Sequence, residues 1–128
     1  MSPPSAEDRG SAVVDFVLVG ALTTVLFSAV LQLALVLHVR ATLVDCAAEG
    51  ARYGALADRT PEQGAARAAA LIEMSLAPRF AQAVSATTTT RDGLEVVQVS
   101  VVAPLPVIGL IGPGGALSVD GHALEEGP

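Results

Sequence analysis

The chain has 128 residues, 13 acidic side chains against seven basic ones, and a formal net charge of -6. That length has room for one small domain and none for a multi-domain enzyme. All seven basic residues are scattered arginines, which cannot assemble a nucleic-acid surface or a polybasic lipid-binding cluster, and a single cysteine, Cys46, excludes an internal disulfide framework.

Residues 1 to 10, MSPPSAEDRG, are polar and rich in Pro, Ser and Gly, and read as a short cytoplasmic leader without structure of its own. An apolar segment follows. Hydrophobic residues make up 52% of the chain, aromatics only 3%, and the mean hydropathy of +0.57 exceeds that of an ordinary soluble domain unless the apolar residues are concentrated. They are: from Phe16 to Leu37 there is no charged side chain. At about 1.5 Å per residue this run spans roughly 33 Å of helix, close to the hydrocarbon thickness of a bilayer. The competing reading is a secretory signal peptide, whose apolar region is usually about 7 to 15 residues and ends in a small-residue cleavage site. Here the helical pattern continues through Arg40 instead, which favours a retained anchor over residues 11 to 39.

Inside this span, Gly20, Thr24, Ser28 and Gln32 recur every fourth residue. Small and polar side chains on one stripe allow close helix approach and cross-helix hydrogen bonds in lipid; tolerance of small residues on any single span is the alternative. Asp15 stands at the start of the same helix, where a carboxylate near the membrane costs about 1 to 3 kcal/mol and persists best with a partner. Its alternative role is that of a helix-N-terminal acid at the headgroup level.

The helix is expected to continue beyond the membrane to about Asp58, with Glu49 and Arg52 three apart as an ion pair worth a few tenths of a kcal/mol. Thr60-Pro61-Glu62-Gln63 has the pattern of a capping box with proline at the first helical position, so a second helix starts there. Its inward face is expected to be Ala65, Ala69, Ile72 and Leu76, and Pro78 marks its end. After Arg79 the period changes. Val84 to Thr90 is rich in β-branched residues, Arg91-Asp92-Gly93 supplies a turn, and Val97, Val99 and Val101 alternate onto one face, which together predict a hairpin. Residues 103 to 115 carry too many prolines and glycines for regular structure. A last strand near 116 to 124 would bury Leu117, Val119 and Ala123. The expected fold is α+β: a long N-terminal transmembrane helix continuing into a small extracytoplasmic domain, residues 40 to 126, with one further helix and about three short antiparallel strands.

Arg9-Gly10-Ser11-Ala12-Val13-Val14-Asp15-Phe16, then the apolar run, then Glu49-Gly50-Ala51-Arg52-Tyr53-Gly54, together resemble the TadE-like family of tight-adherence pilus systems. Members open with an RGS-A-VEF-type segment, cross the membrane once and carry an REGARYA-type stretch just beyond it. The valine-rich strand, the Pro-Leu-Gly loop and the final strand are similar to that family's C-terminal half. The resemblance implies a minor pilin or pseudopilin, cut by a prepilin peptidase between Gly10 and Ser11, with Asp15 in the place of the usual glutamate five positions after the cut. It also implies association with other pilin subunits and an inner-membrane assembly platform, with the N-terminus cytoplasmic and the C-terminal domain outside. The arginine count does not demand that orientation, since Arg9 lies on one side and Arg40 and Arg52 on the other. An uncleaved single-pass anchored domain with an unrelated structural or sensory role is the alternative.

No chemistry-bearing constellation accompanies these features. His38 and His122 lie far apart in sequence, no cluster has metal-ligand spacing, and no nucleophile motif or phosphate-binding glycine loop occurs. The chain is expected to be no enzyme and to need no cofactor, metal, small-molecule ligand or nucleic acid. Cys46 reads as a helix-packing residue, with an intersubunit disulfide as its alternative.

Overall fold

In the computed structural model, residues 5–106 and 115–126 are described. Five elements carry the fold: α1 (Ala6–Gly54), α2 (Pro61–Ser75), β1 (Val84–Arg91), β2 (Leu94–Pro104) and β3 (Ala116–Leu124). A 3-10 turn over Pro78–Ala81 links α2 to the sheet. This is the α+β arrangement expected, with one membrane-length helix, one further helix and three antiparallel strands.

The chain divides into two compact units, residues 1–34 and 35–128. In the first, α1 begins five residues earlier than expected. Ser5 and Asp8 cap it reciprocally: the Asp8 amide donates to Ser5 Oγ and the Ser5 amide donates to the Asp8 carboxylate, both at 3.3 Å. This is a capping box with Asp at its third position, so the polar 6–10 segment is helical rather than unstructured. Val13 to Leu33 presents large apolar side chains outward throughout, among them Phe16, 80% exposed. No soluble core uses this surface, and α1 is the helix among the described residues long and apolar enough to cross a membrane.

In the second unit, residues 35 to 54 of α1 bury a stripe of Val39, Leu43, Cys46, Ala47, Gly50, Ala51 and Gly54. The helix stops at Gly54, earlier than Asp58, and a turn follows in which the Ala55 amide reaches Ala51 O at 2.9 Å. Thr60 then caps α2 as its spacing requires, its hydroxyl accepting from the Gln63 amide at 3.2 Å while the Gln63 side chain accepts from the Thr60 amide at 2.9 Å. The buried face of α2 is Gly64, Ala68 and Ile72, while Ala65, Ala69 and Leu76 are half-buried. The expected face was therefore rotated by one residue. Glycine contributes little hydrophobicity to the pattern, yet Gly64 is where α1 and α2 meet.

The sheet is a meander of order β1-β2-β3. Asp92 and Gly93 both take positive φ, 52° and 80°, which gives the two-residue turn whose twist suits a hairpin and pairs Arg91 with Leu94. Val97, Val99 and Val101 are fully buried on one face of β2, as alternation requires. On β3, Leu117 and Val119 are buried with Gly121, and Ala123 is half-buried. A Cβ at Gly121 would collide with the backbone of Ala47 and Ala48, so β3 crosses the helix at its one residue without a side chain. The core gathers Val39, Leu43 and Ala47 of α1, Ile72 of α2, Phe80, and the buried valines of β2 and β3.

Candidate functional site

The residues singled out from the sequence fall into two groups. Gly10, Ser11, Asp15, Gly20, Thr24 and Ser28 all lie on α1 in the first unit, exposed, and Gln32 is half-exposed. A Cβ added at Gly10 or Gly20 would meet nothing within 4 Å. Thr24 turns its hydroxyl back to the Gly20 carbonyl at 2.8 Å, so that donor is engaged within the helix; what Thr24 and Gly20 leave on the surface is a shallow place rather than a polar handle.

The second group, Glu49, Gly50, Ala51, Arg52 and Tyr53, straddles core and surface of the second unit. Glu49 and Arg52 form the expected ion pair at 3.1 Å, well exposed to solvent. Gly50 and Ala51 are buried. A Cβ at Gly50 would sit 2.6 Å from both the Ala68 side chain and the Gly64 carbonyl, and one at Gly54 would be 3.1 Å from the Gly64 Cα. Gly50 and Gly54 on α1 thus face Gly64 and Ala68 on α2, a small-xxx-small pairing that lets two backbones touch. The glycine of the motif is explained by this crossing.

The crossing also places an aromatic ring. Tyr53 immediately precedes Gly54, and the close approach brings it beside Gln63, Ala66 and Arg67 of α2, which with it line a cavity of about 230 Å³. The Arg59 guanidinium lies 4.9 Å from the ring centroid and that of Arg67 lies 5.9 Å from it. Neither arginine was singled out from the sequence. Neither belongs to a recognised motif, although Arg59 directly precedes the capping box at Thr60, and only the helix crossing unites them with Tyr53.

Cys46 is buried in the core. Burial pushes its thiol above the usual cysteine range, the adjacent Asp45 carboxylate adds to this, and a hydrogen bond with Ser75 acts the other way. The thiol stays protonated near neutrality and packs as a small apolar group. At the C-terminal end, a hydrogen bond to the Glu95 side chain raises Glu125 above the usual carboxyl range, with desolvation and the Glu95 charge acting in the same direction. The same segment is tied down by its backbone, the Glu125 amide donating to Glu95 O at 2.9 Å and the Glu126 amide to Ala55 O at 2.8 Å. Among the described residues no three His, Cys, Asp or Glu side chains gather as a metal site.

A helix of membrane-spanning length, followed along the chain by a small α+β unit, defines a protein with a candidate membrane anchor. Residues 10–52 match the family model described as TadE-like protein. The chain thus carries a TadE-like segment over about a third of its length, as its N-terminal and Glu49-Gly50-Ala51-Arg52 motifs indicated. The match ends at Arg52, so the likeness read over the strands of the C-terminal half lies beyond it. No match was found among curated proteins or among solved structures.

Proposed function

We propose that the protein is a non-enzymatic minor pilin or pilus-assembly factor of a tight-adherence, type IV-like system, acting through subunit association in the membrane. The observation that carries this reading is the TadE-like match over residues 10–52, which covers the whole of the uncharged run and its flanking motif as far as Arg52. The exposed apolar surface of α1 supports it, because a helix with no core of its own to cover needs lipid or neighbouring helices around it.

In this role a prepilin peptidase cuts between Gly10 and Ser11, and the new α-amino group meets Asp15 of the same or a neighbouring subunit in a low-dielectric setting, where the attraction far exceeds its value in water. Gly20, Thr24, Ser28 and Gln32 supply a contact stripe for other pilin subunits. The domain from Arg40 onward lies outside the cytoplasm, and the assembly platform of the inner membrane is the further partner. The helical geometry at Gly10 and Ser11 bears on the first step: a peptidase must open the α1 turn there, which a glycine makes less costly than any residue but proline.

Intact-mass analysis of the membrane-extracted protein from peptidase-positive cells tests the reading. The expected species begins at Ser11. A chain still beginning within its first three residues sinks the pilin role and leaves the uncleaved single-pass anchor; a new terminus near residue 39 removes the retained anchor as well.

A further inference from the structure

The geometry points to a binding site for an acidic peptide segment of a partner subunit, built from Tyr53, Arg59 and Arg67 at the α1–α2 crossing. Two guanidinium groups lie on one ring, 4.9 and 5.9 Å from its centroid, and together they favour an anion that offsets their charge. The chain supplies little that does. Arg59 has only its neighbour Asp58 at 4.0 Å, whose side chain is 81% exposed. Among the described residues no ion pair engages Arg67, in a protein with 13 acidic side chains to draw on. Arg52, by contrast, is held by Glu49 at 3.1 Å and stands outside the group.

Three features suit a carboxylate. The guanidinium fork binds it with two parallel hydrogen bonds. The face of Tyr53 holds each arginine by cation–π attraction, which limits the side-chain freedom lost on binding. The cavity of about 230 Å³ beside the ring, lined by Gln63 and Ala66 as well as Arg67, gives room for a side chain next to the charge and an amide to hydrogen-bond it. A peptide fits better than a lipid headgroup. Tyr53 lies fourteen residues past residue 39, which is about 21 Å of helix, beyond the reach of headgroup charge at physiological salt. The occupant's identity as another subunit rests on the assembly role proposed above, whereas the site itself does not depend on processing at Gly10.

Tyr53 is the protein's sole tyrosine and there is no tryptophan, so intrinsic emission of the full-length protein in neutral detergent reports on this site alone. Titration with hexaglutamate should give a saturable change that weakens at high salt, while hexaglutamine gives none. Arg67→Gln, an exposed change that leaves the core intact, should weaken the response about tenfold, and Arg59→Gln should act in the same direction. No response to hexaglutamate, or a response in both variants as strong as in the wild type, overturns the site. Inorganic phosphate or anionic-lipid micelles saturating more readily than hexaglutamate overturns the peptide assignment. Each of these results leaves the N-terminal mass unchanged, so failure here is distinct from failure of the pilin role.

Discussion

Gly20 and Gly50 occupy the same helix thirty residues apart and could hardly differ more in what surrounds them. Around Gly20 a methyl group would find open space; around Gly50 it would strike Ala68 and the Gly64 carbonyl. The contrast extends to their neighbourhoods. Upstream, large apolar side chains such as Phe16, Leu22 and Leu26 face outward, whereas downstream Val39, Leu43 and Ala47 are buried against the sheet and α2. One half of α1 packs into the chain's own core, and the other presents its side chains outward. A glycine in the second half therefore concerns folding, whereas one in the first touches no part of that core.

The sharpest way to break this comparison is to place the same side chain at both positions. Gly50→Val should destabilise the α+β unit by about 3 kcal/mol or more, because backbone rather than a flexible side chain stands in the way. Gly20→Val should leave that unit's unfolding midpoint unchanged. Urea unfolding followed by circular dichroism in neutral detergent decides between them, and equal losses at both sites would show that the two halves of α1 do not differ as described.

A smaller effect is expected at the start of α2. Thr60→Ala removes the hydroxyl that accepts from the Gln63 amide and should cost about 1 kcal/mol, with Thr60→Ser recovering most of it. Since α2 presents Gly64 to α1, fraying of its first turn should also loosen the crossing and change the emission of Tyr53. A midpoint shift with unaltered emission would separate the cap from the crossing.

The smallest effect concerns the tail. Glu125 is raised by its hydrogen bond to Glu95, so the stabilisation this contact provides is present below the ordinary carboxyl value and is lost as pH rises through the raised one. The gap in unfolding midpoint between wild type and Glu95→Gln should accordingly shift in favour of wild type on going from about pH 7 to about pH 4.5. A gap independent of pH would mean that the two carboxyl groups do not share a proton.

Much of this architecture is legible along the chain because its signals are local. An uncharged run of bilayer length, a capping box at Thr60, an Asp-Gly turn and alternating valines each act over a few residues, and the structure places helix, hairpin and last strand where they indicate. Where the structure departs from these signals, the cause is local too. The cap at Ser5 uses aspartate where the usual pattern has glutamate or glutamine, so α1 starts earlier than the pattern indicates. The nearly uniform alanines of α2 gave too little contrast to orient its face.

The membrane-length helix, the α+β class and the TadE-like motifs can be read along the chain, since each depends on composition and period within one element. The folded chain adds that Gly50, Gly54 and Gly64 form a backbone contact, that Gly121 makes room for Ala47, and that Arg59 and Arg67 converge on Tyr53. Those relations join residues on different elements, and the absence of a side chain carries no hydrophobic signal until a second backbone is seen to fill the space it leaves.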